Sequence, residues 1–334
     1  MAQRRSPLRL LRGVALVGGV AAFALMANKL GWSGVTHVLV ETGWWFLVIA
    51  AIDVGSALCD AGAICALASE HARVPYGRAV AAQLAGVAIN RLTPGNALGE
   101  PIKISLLVER VPRDSAVSTI LMFDASATIV AIVAIVTGIP ITLAFVDLPA
   151  DMAIAAWLGA GVLVLFLFLM FFLVRRGPVA IGIGALRRLR MISAERCARW
   201  RANTAHIDEM VRELGTTRSS RIGIAFLFGS RVLNWVGTVV MLYAAGLPIT
   251  IPMVIGLLSV GALITYIAHI VPLGIGLAEG GNYLLYRALG APGLAGLDFT
   301  IVYRARTCLL SAIGLTVLAI TTYRDRRRRG TVIE

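Results

Sequence analysis

Residues 90–103 of the chain read NRLTPGNALGEPIK, and residues 269–282 read HIVPLGIGLAEGGN. Each stretch is a loop of proline and glycine residues that ends in a glutamate, Glu100 or Glu279, inside apolar sequence. Proline and glycine break helices, and loops with exposed backbone polar groups persist at membrane depth only where protein buries them or water reaches them. Broken segments at matching places in two halves of a chain are typical of a transport site.

The composition predicts an integral membrane protein. Hydrophobic residues make up 58% of the 334 residues, and charged residues make up only 15%. A spanning helix needs roughly 20 apolar residues. We therefore expect an all-helical, multi-pass protein of a bacterial-type inner (plasma) membrane, with about six spans near residues 10–29, 44–68, 114–138, 152–174, 221–246 and 298–322.

The net charge of +13 arises from basic residues at the ends of the spans and does not indicate nucleic-acid binding. Basic clusters precede the first span, fill the linker at 175–220 and follow the last span at 324–334. The positive-inside rule places such clusters in the cytoplasm. The sequence thus predicts cytoplasmic N- and C-termini and a basic linker that lies on anionic lipid as an amphipathic helix.

Counting the crossings predicts that the two loops lie in opposed re-entrant hairpins. With all three basic clusters inside, a hairpin of about 77–109 (arms 77–92 and 98–109) enters from the cytoplasm, and a hairpin of about 250–292 enters from outside. A single domain, 1–334, would then consist of halves 1–174 and 221–323 that form an inverted repeat. Residues 250–271 are long enough to span alone; in that case 276–290 must also cross, or the C-terminus lies outside.

Charged and polar residues inside the apolar segments are the candidate substrate-binding residues, because a charge at bilayer depth is costly unless it is paired or hydrated. Asp124 follows Glu100 by 24 residues and Arg304 follows Glu279 by 25, so each half carries a charge in the span after its hairpin. A structural ion pair that locks the bundle explains these charges equally well. The candidates are Glu100, Lys103, Asp124, Arg231, Glu279, Asn282, Arg304 and Arg306, and the hairpin loops add Asn90, Pro94, Gly95, Gly99, Pro272, Gly274 and Gly276.

Further polar residues lie at helical spacing in the second span. Asp53, Ser56 and Asp60 share one side of it and could either act in transport or pair locally.

Searches for catalytic and nucleotide-binding motifs find none. The sequence contains no HExxH, GxSxG or GxxxxGK[ST] motif, so we expect neither an enzyme nor an ATP-driven pump. The four cysteines form no CxxC pair and the four histidines are scattered, so we expect no metal site and no cofactor.

The two loops resemble a known family. The Pro-Gly-x-x-x-Gly-Glu-x-x-Lys run at 94–103 resembles the Asn-Pro-x-x-x-Gly-Glu-x-x-Arg region of the flippase-like transmembrane domain of lysylphosphatidylglycerol synthases. Residues 272–279 resemble that family's second loop, Pro-Gly-Gly-x-Gly-x-x-Glu, and residues 291–314 are similar to its closing helix. Lys103 replaces an arginine of the pattern, Leu273 replaces a glycine, and Ala278 stands where a basic residue is common.

The resemblance implies a stand-alone flippase-like protein, because the soluble aminoacyl-transfer domain of the bifunctional enzymes is absent. We therefore expect a protein that moves an anionic or polyprenyl-linked lipid between leaflets, with its headgroup held by arginine and lysine side chains. Two other functions remain open. One is an interaction protein that supports a cytoplasmic or membrane partner in lipid processing or glycosyl transfer, and the other is a secondary transporter of a small solute.

Overall fold

The computed structural model describes residues 10–24, 42–68, 73–93, 98–146, 149–176, 217–247, 249–268 and 277–330. These residues form helices joined by short turns, with no strand among them. The helices are α1 (Leu10–Ala24), α2 (Trp45–Leu67), α3 (Tyr76–Leu92), α4 (Gly99–Leu107), α5 (Arg113–Phe145), α6 (Ala150–Arg176), α7 (Arg218–Ala244), α8 (Ile251–Ala268), α9 (Leu277–Ala288) and α10 (Gly293–Gly330). The all-helical prediction is confirmed.

Prolines and glycines set several of the helix ends. Pro75 and Pro112 immediately precede α3 and α5, where a fixed φ and a missing N–H are compatible with the start of a helix. Gly290 ends α9 with a φ of 80°, and the N–H of Ala291 donates to the Tyr286 carbonyl at 2.9 Å. Residues with a side chain rarely adopt this backbone conformation, so glycine suits the turn into α10.

Six helices are long and apolar enough to cross a membrane: α2, α5, α6, α7, α8 and α10. Five of them correspond to predicted spans. The sixth predicted span, 10–29, is described only over residues 10–24. These residues form α1, whose 15 residues are fewer than those of the six candidate spans. The sixth candidate span is instead α8, whose 18 residues extend about 27 Å.

The predicted arms of both hairpins are helices. The first hairpin consists of α3 and α4, which were predicted at 77–92 and 98–109 and are found at Tyr76–Leu92 and Gly99–Leu107. The second consists of α8, which contains one π-helical turn at Leu257–Gly261, and α9. The loop residues Pro94, Gly95, Pro272, Gly274 and Gly276 lie outside the described residues, as does most of the predicted linker at 175–220.

A first hydrophobic core surrounds the first hairpin. It combines buried residues of α1 to α5 with Leu227 of α7 and the C-terminal part of α10, among them Ile64, Ala85, Ile89, Leu106, Ile120 and Leu315. Gly19 of α1 lies against Leu315 and Ile89, and Gly314 of α10 lies against the backbone of Leu84. Helices α1 and α10 therefore pack closely on α3.

A second core surrounds the second hairpin. Its buried residues come from the C-terminal half of α5 and from α6, α7, α8 and α9, among them Ile135, Ile139, Ala160, Leu257 and Leu285. Gly159 of α6 lies against Leu263 of α8, and the hydroxyls of Thr142 and Ser259 share a hydrogen bond of 2.6 Å between α5 and α8. Thus α5 and α6 pack on the second hairpin as α10 and α1 pack on the first.

The packing groups α6 with the second core, whereas the predicted first half, 1–174, includes it. That division into halves, like the opposed entry of the two hairpins, stays a prediction.

An ion-pair network ties the open end of the first hairpin to the C-terminal end of α10. Asp325 accepts hydrogen bonds from Arg12 at 3.1 Å and from both terminal nitrogens of Arg78, at 3.2 and 2.5 Å. Arg12 also lies 3.4 Å from Glu109. Residues 324–330, predicted as part of a tail, continue α10 as helix.

Candidate functional site

The most deeply buried ion pair joins α2 to α10. Arg306 Nε donates to Asp53 Oδ2 at 2.6 Å, and Arg306 Nη2 donates to the other carboxylate oxygen. The two side chains are only 8% and 4% exposed. Arg306 Nη2 also lies 3.4 Å from Asn234 Oδ1. Both oxygens of the carboxylate are therefore used by one guanidinium group, in the bidentate geometry that arginine favours.

Polar contacts continue from this pair between α2 and α7. Asn234 Nδ2 donates to Ser56 Oγ at 2.7 Å, and the hydroxyls of Ser56 and Ser230 are 2.9 Å apart. Gly62 and Gly223 lie against side chains of the opposite helix, so the two helices approach closely, as small residues allow in membrane proteins. The shared side of Asp53, Ser56 and Asp60 therefore contacts three helices: Asp53 contacts α10, Ser56 contacts α7, and Asp60 contacts α3.

Lys103 lies at the centre of the charged group beside the first hairpin. Its ammonium is 3.3 Å from Asp124 Oδ1 and 3.7 Å from Glu100 Oε1, and it lies 4.9 Å from the centre of the Phe123 ring. The Lys103 side chain is 4% exposed, whereas those of Asp124 and Glu100 are 30% and 33% exposed. The lysine is thus buried behind two carboxylates that stay accessible.

Asn90 joins the two arms of the first hairpin at its loop end. Its Nδ2 donates to Glu100 Oε1 at 2.8 Å, and its Oδ1 accepts from the Gly99 N–H at 2.6 Å. An added Cβ on Gly99 would collide with the Gly86 carbonyl and the Asn90 side chain, so glycine is needed here for close approach of α4 to α3. The predicted loop residues Asn90 and Gly99 therefore hold Glu100 in place.

Asp60 extends the charged group around Lys103 towards α7. It accepts a hydrogen bond from Gln83 Nε2 at 2.8 Å and interacts electrostatically with Lys103 and Arg231. Arg231 is thereby linked to the Lys103 group through Asp60.

The second hairpin carries the matching pair. Arg304 Nη2 of α10 donates to Glu279 Oε1 of α9, and the side chains are 33% and 27% exposed. Asn282 Nδ2 donates to Thr300 Oγ1 at 3.0 Å and also joins α9 to α10. In both hairpins, a charged residue of the returning arm is thus bonded to the long helix that follows.

The structure brings the predicted residues into three groups: Glu100, Lys103 and Asp124 with Asn90; Glu279 with Arg304; and Arg306 with Asp53. Arg91 was not among the predicted residues. It lies in the last turn of α3, and its Nη1 atom is buried without a hydrogen-bond partner among the described residues. Its position inside an apolar helix beside the first loop was the signal that could have identified it.

The family is established by a match along most of the chain. The model of the lysylphosphatidylglycerol synthase TM region matches residues 10–314. The chain belongs to this family. No curated protein and no solved structure matches it. The match confirms the predicted family and, with the six candidate spans, indicates a multi-pass membrane protein linked to lipid metabolism or flipping.

Proposed function

We propose that this protein moves an anionic or polyprenyl-linked lipid between the leaflets of the membrane without hydrolysing ATP, and that it is not an enzyme. The main support is the set of ion pairs that join the start of each returning arm to the long helix that follows it. Glu100, Asp124, Glu279 and Arg304 keep between 27% and 33% of their side chains exposed although they lie in or beside apolar helices. Charges inside membrane-spanning segments are costly, so partly exposed ones suit a path for polar headgroups.

The packing supports a repeat as the basis of the movement. The first hairpin packs against α1 and α10, and the second packs against α5 and α6. The two hairpins therefore have corresponding neighbours, and we propose that the two units are inverted relative to one another. The headgroup would cross between the hairpins along the charged groups, while the acyl or prenyl chains stay in the bilayer. The termini would then lie in the cytoplasm of a bacterial-type cell.

Reconstitution into liposomes tests the proposal. Vesicles with fluorescent phosphatidylglycerol or a fluorescent polyprenyl phosphate in both leaflets are treated with an impermeant quencher. We expect the purified protein to expose inner-leaflet lipid to the quencher, whereas protein-free vesicles should retain it. Folded, monodisperse protein that moves neither lipid would contradict the proposal.

Two further measurements distinguish lipid movement from solute transport and from a role as an interaction protein. Uptake of soluble glycerol phosphate without lipid movement would indicate a small-solute transporter. Loss of a co-purifying protein after deletion of residues 185–215, with no lipid movement by the intact chain, would indicate an interaction protein.

A further inference from the structure

Arg91 is partly exposed, but its Nη1 atom is buried and has no hydrogen-bond partner among the described residues. Other arginines in the interior are bonded: Arg306 to Asp53, and Arg12 and Arg78 to Asp325. A buried donor without a partner loses its hydration and gains nothing in return. Arg91 is therefore an exception to the pairing seen elsewhere in the helix bundle.

In the described part of the chain, Arg91 has no carboxylate of its own. It interacts electrostatically with Asp53, Arg306 and Tyr303. Both oxygens of Asp53 already accept hydrogen bonds from Arg306, whose guanidinium lies 6.0 Å from the centre of the Tyr303 ring. Among the described residues, two guanidinium groups thus share one carboxylate where the end of α3 meets the middle of α10, which leaves one positive charge in excess.

We propose that Arg91 binds a phosphate group that enters between the C-terminal end of α3 and the middle of α10. Phosphate oxygens accept hydrogen bonds from the free Nη1 donor, and their charge balances the excess positive charge there. The inference rests on the proposed function in one respect: within it, the phosphate belongs to the headgroup of the translocated lipid. A soluble phosphate ester could supply the same chemistry.

Thermal unfolding of the delipidated protein in detergent tests the site. We expect phosphatidylglycerol to raise the midpoint of wild-type protein more than phosphatidylcholine does, and Arg91→Met to abolish that difference. Arg221→Met, which removes an exposed arginine of α7, should keep it. Without lipid, Arg91→Met should be at least as stable as wild type, because it removes a buried Nη1 donor that has no partner among the described residues. Glycerol phosphate in place of lipid distinguishes a soluble ester from a headgroup.

Two results would overturn the site. An unchanged response of Arg91→Met to phosphatidylglycerol would show that Arg91 does not bind the phosphate. A lipid-free midpoint well below that of wild type would show that Arg91 has an internal partner. Should Arg91→Met not fold, Arg91→Lys keeps the charge but loses the guanidinium fork; we expect it to bind phosphatidylglycerol about tenfold more weakly. Equal affinity would again overturn the site.

Flipping assays keep this inference separate from the proposed function. If wild-type protein moves fluorescent phosphatidylglycerol and Arg91→Met moves it at the same rate, the proposed function stands and the Arg91 site fails. If the wild type moves no lipid, the proposed function fails, whereas the binding measurement still decides the Arg91 site.

Discussion

At the scale of single residues, the ion pairs differ in how open they are. Asp53 and Arg306 are 4% and 8% exposed, whereas Glu279 and Arg304 are 27% and 33% exposed. A fully desolvated pair adds little net stability but is costly to break, so the first pair is suited to holding α2 against α10. The second pair can exchange partners with a ligand at lower cost.

Arg304→Lys tests whether the open pair contacts the transported lipid. The substitution keeps the positive charge near Glu279 but loses the bidentate fork that fits phosphate. We expect the rate of lipid movement in liposomes to fall about tenfold, with the thermal midpoint nearly unchanged. Arg287→Lys, at an exposed position of α9, is the matched control and should leave transport unaltered.

A purely structural pair would behave differently. In that case Arg304→Lys should transport normally, Arg304→Ala should destabilise the protein, and Arg304→Ala combined with Glu279→Ala should recover part of the lost stability. That pattern would remove Arg304 from the transport path.

Part of this residue-level picture could be predicted. Asp124 and Arg304 lie at matching positions after their hairpins, and this match indicated that the two charges correspond. Asp124 is bonded to Lys103 of the first hairpin, and Arg304 is bonded to Glu279 of the second. The pairing of Asp53 with Arg306 spans 253 positions. A single sequence shows the polar side of a helix but not which distant helix packs on it. The pairing of Asp53 with Arg306 and the lack of a hydrogen-bond partner for Arg91 Nη1 among the described residues were therefore not predictable.

At the scale of the elements, the first hairpin depends on the close approach of its two arms. Gly99 begins α4 against the backbone of Gly86 and the side chain of Asn90. Asn90 then holds Glu100, so a displacement of α4 also displaces the charged group around Lys103.

Gly99→Ala should destabilise the protein by about 2 kcal/mol or more, because backbone atoms and a bonded amide must move to admit the methyl group. Gly77→Ala is the control: it lies in α3 with no atom near an added Cβ, so it should be neutral or slightly stabilising. Thermal unfolding of both variants in the same detergent measures the difference. Equal stability of the two would show that the arms separate easily.

The helix ends show what apolar patterning can and cannot locate. The arms of the first hairpin were predicted to within two residues because prolines and glycines mark them. The last span was predicted at 298–322, yet α10 runs from Gly293 to Gly330. Apolar composition locates the part of a helix that crosses hydrocarbon, whereas arginines are good helix formers and continue the helix beyond it.

At the scale of the whole molecule, the orientation of the hairpins depends on how many helices cross the membrane. Helix α8 is long enough to cross, whereas α9 has 12 residues, about 18 Å. If α8 crosses and α9 does not, the C-terminus lies on the side opposite to the linker. The predicted cytoplasmic position of both therefore requires a re-entrant second hairpin or two crossings.

Cysteine labelling in intact cells measures this orientation. In a chain without its native cysteines, we expect Ser6→Cys, Thr204→Cys and Thr331→Cys to be protected from an impermeant thiol reagent, because all three positions lie by basic clusters. Thr36→Cys, in the predicted outer loop between the first two spans, should be labelled. Labelling of Thr331→Cys from outside would exclude the opposed hairpins.

The length of α10 has a mechanical consequence. Its 38 residues extend about 57 Å, roughly twice the thickness of the hydrocarbon layer, so its arginine-rich end must emerge among lipid headgroups. Arg304 and Arg306 lie on the same helix as Asp325, which forms salt bridges with Arg12 and Arg78. Because α10 is one continuous helix, we expect a tilt of its arginine-rich end to displace Arg304 and Arg306 as well, and the pairs of Asp325 with Arg12 and Arg78 to oppose that tilt.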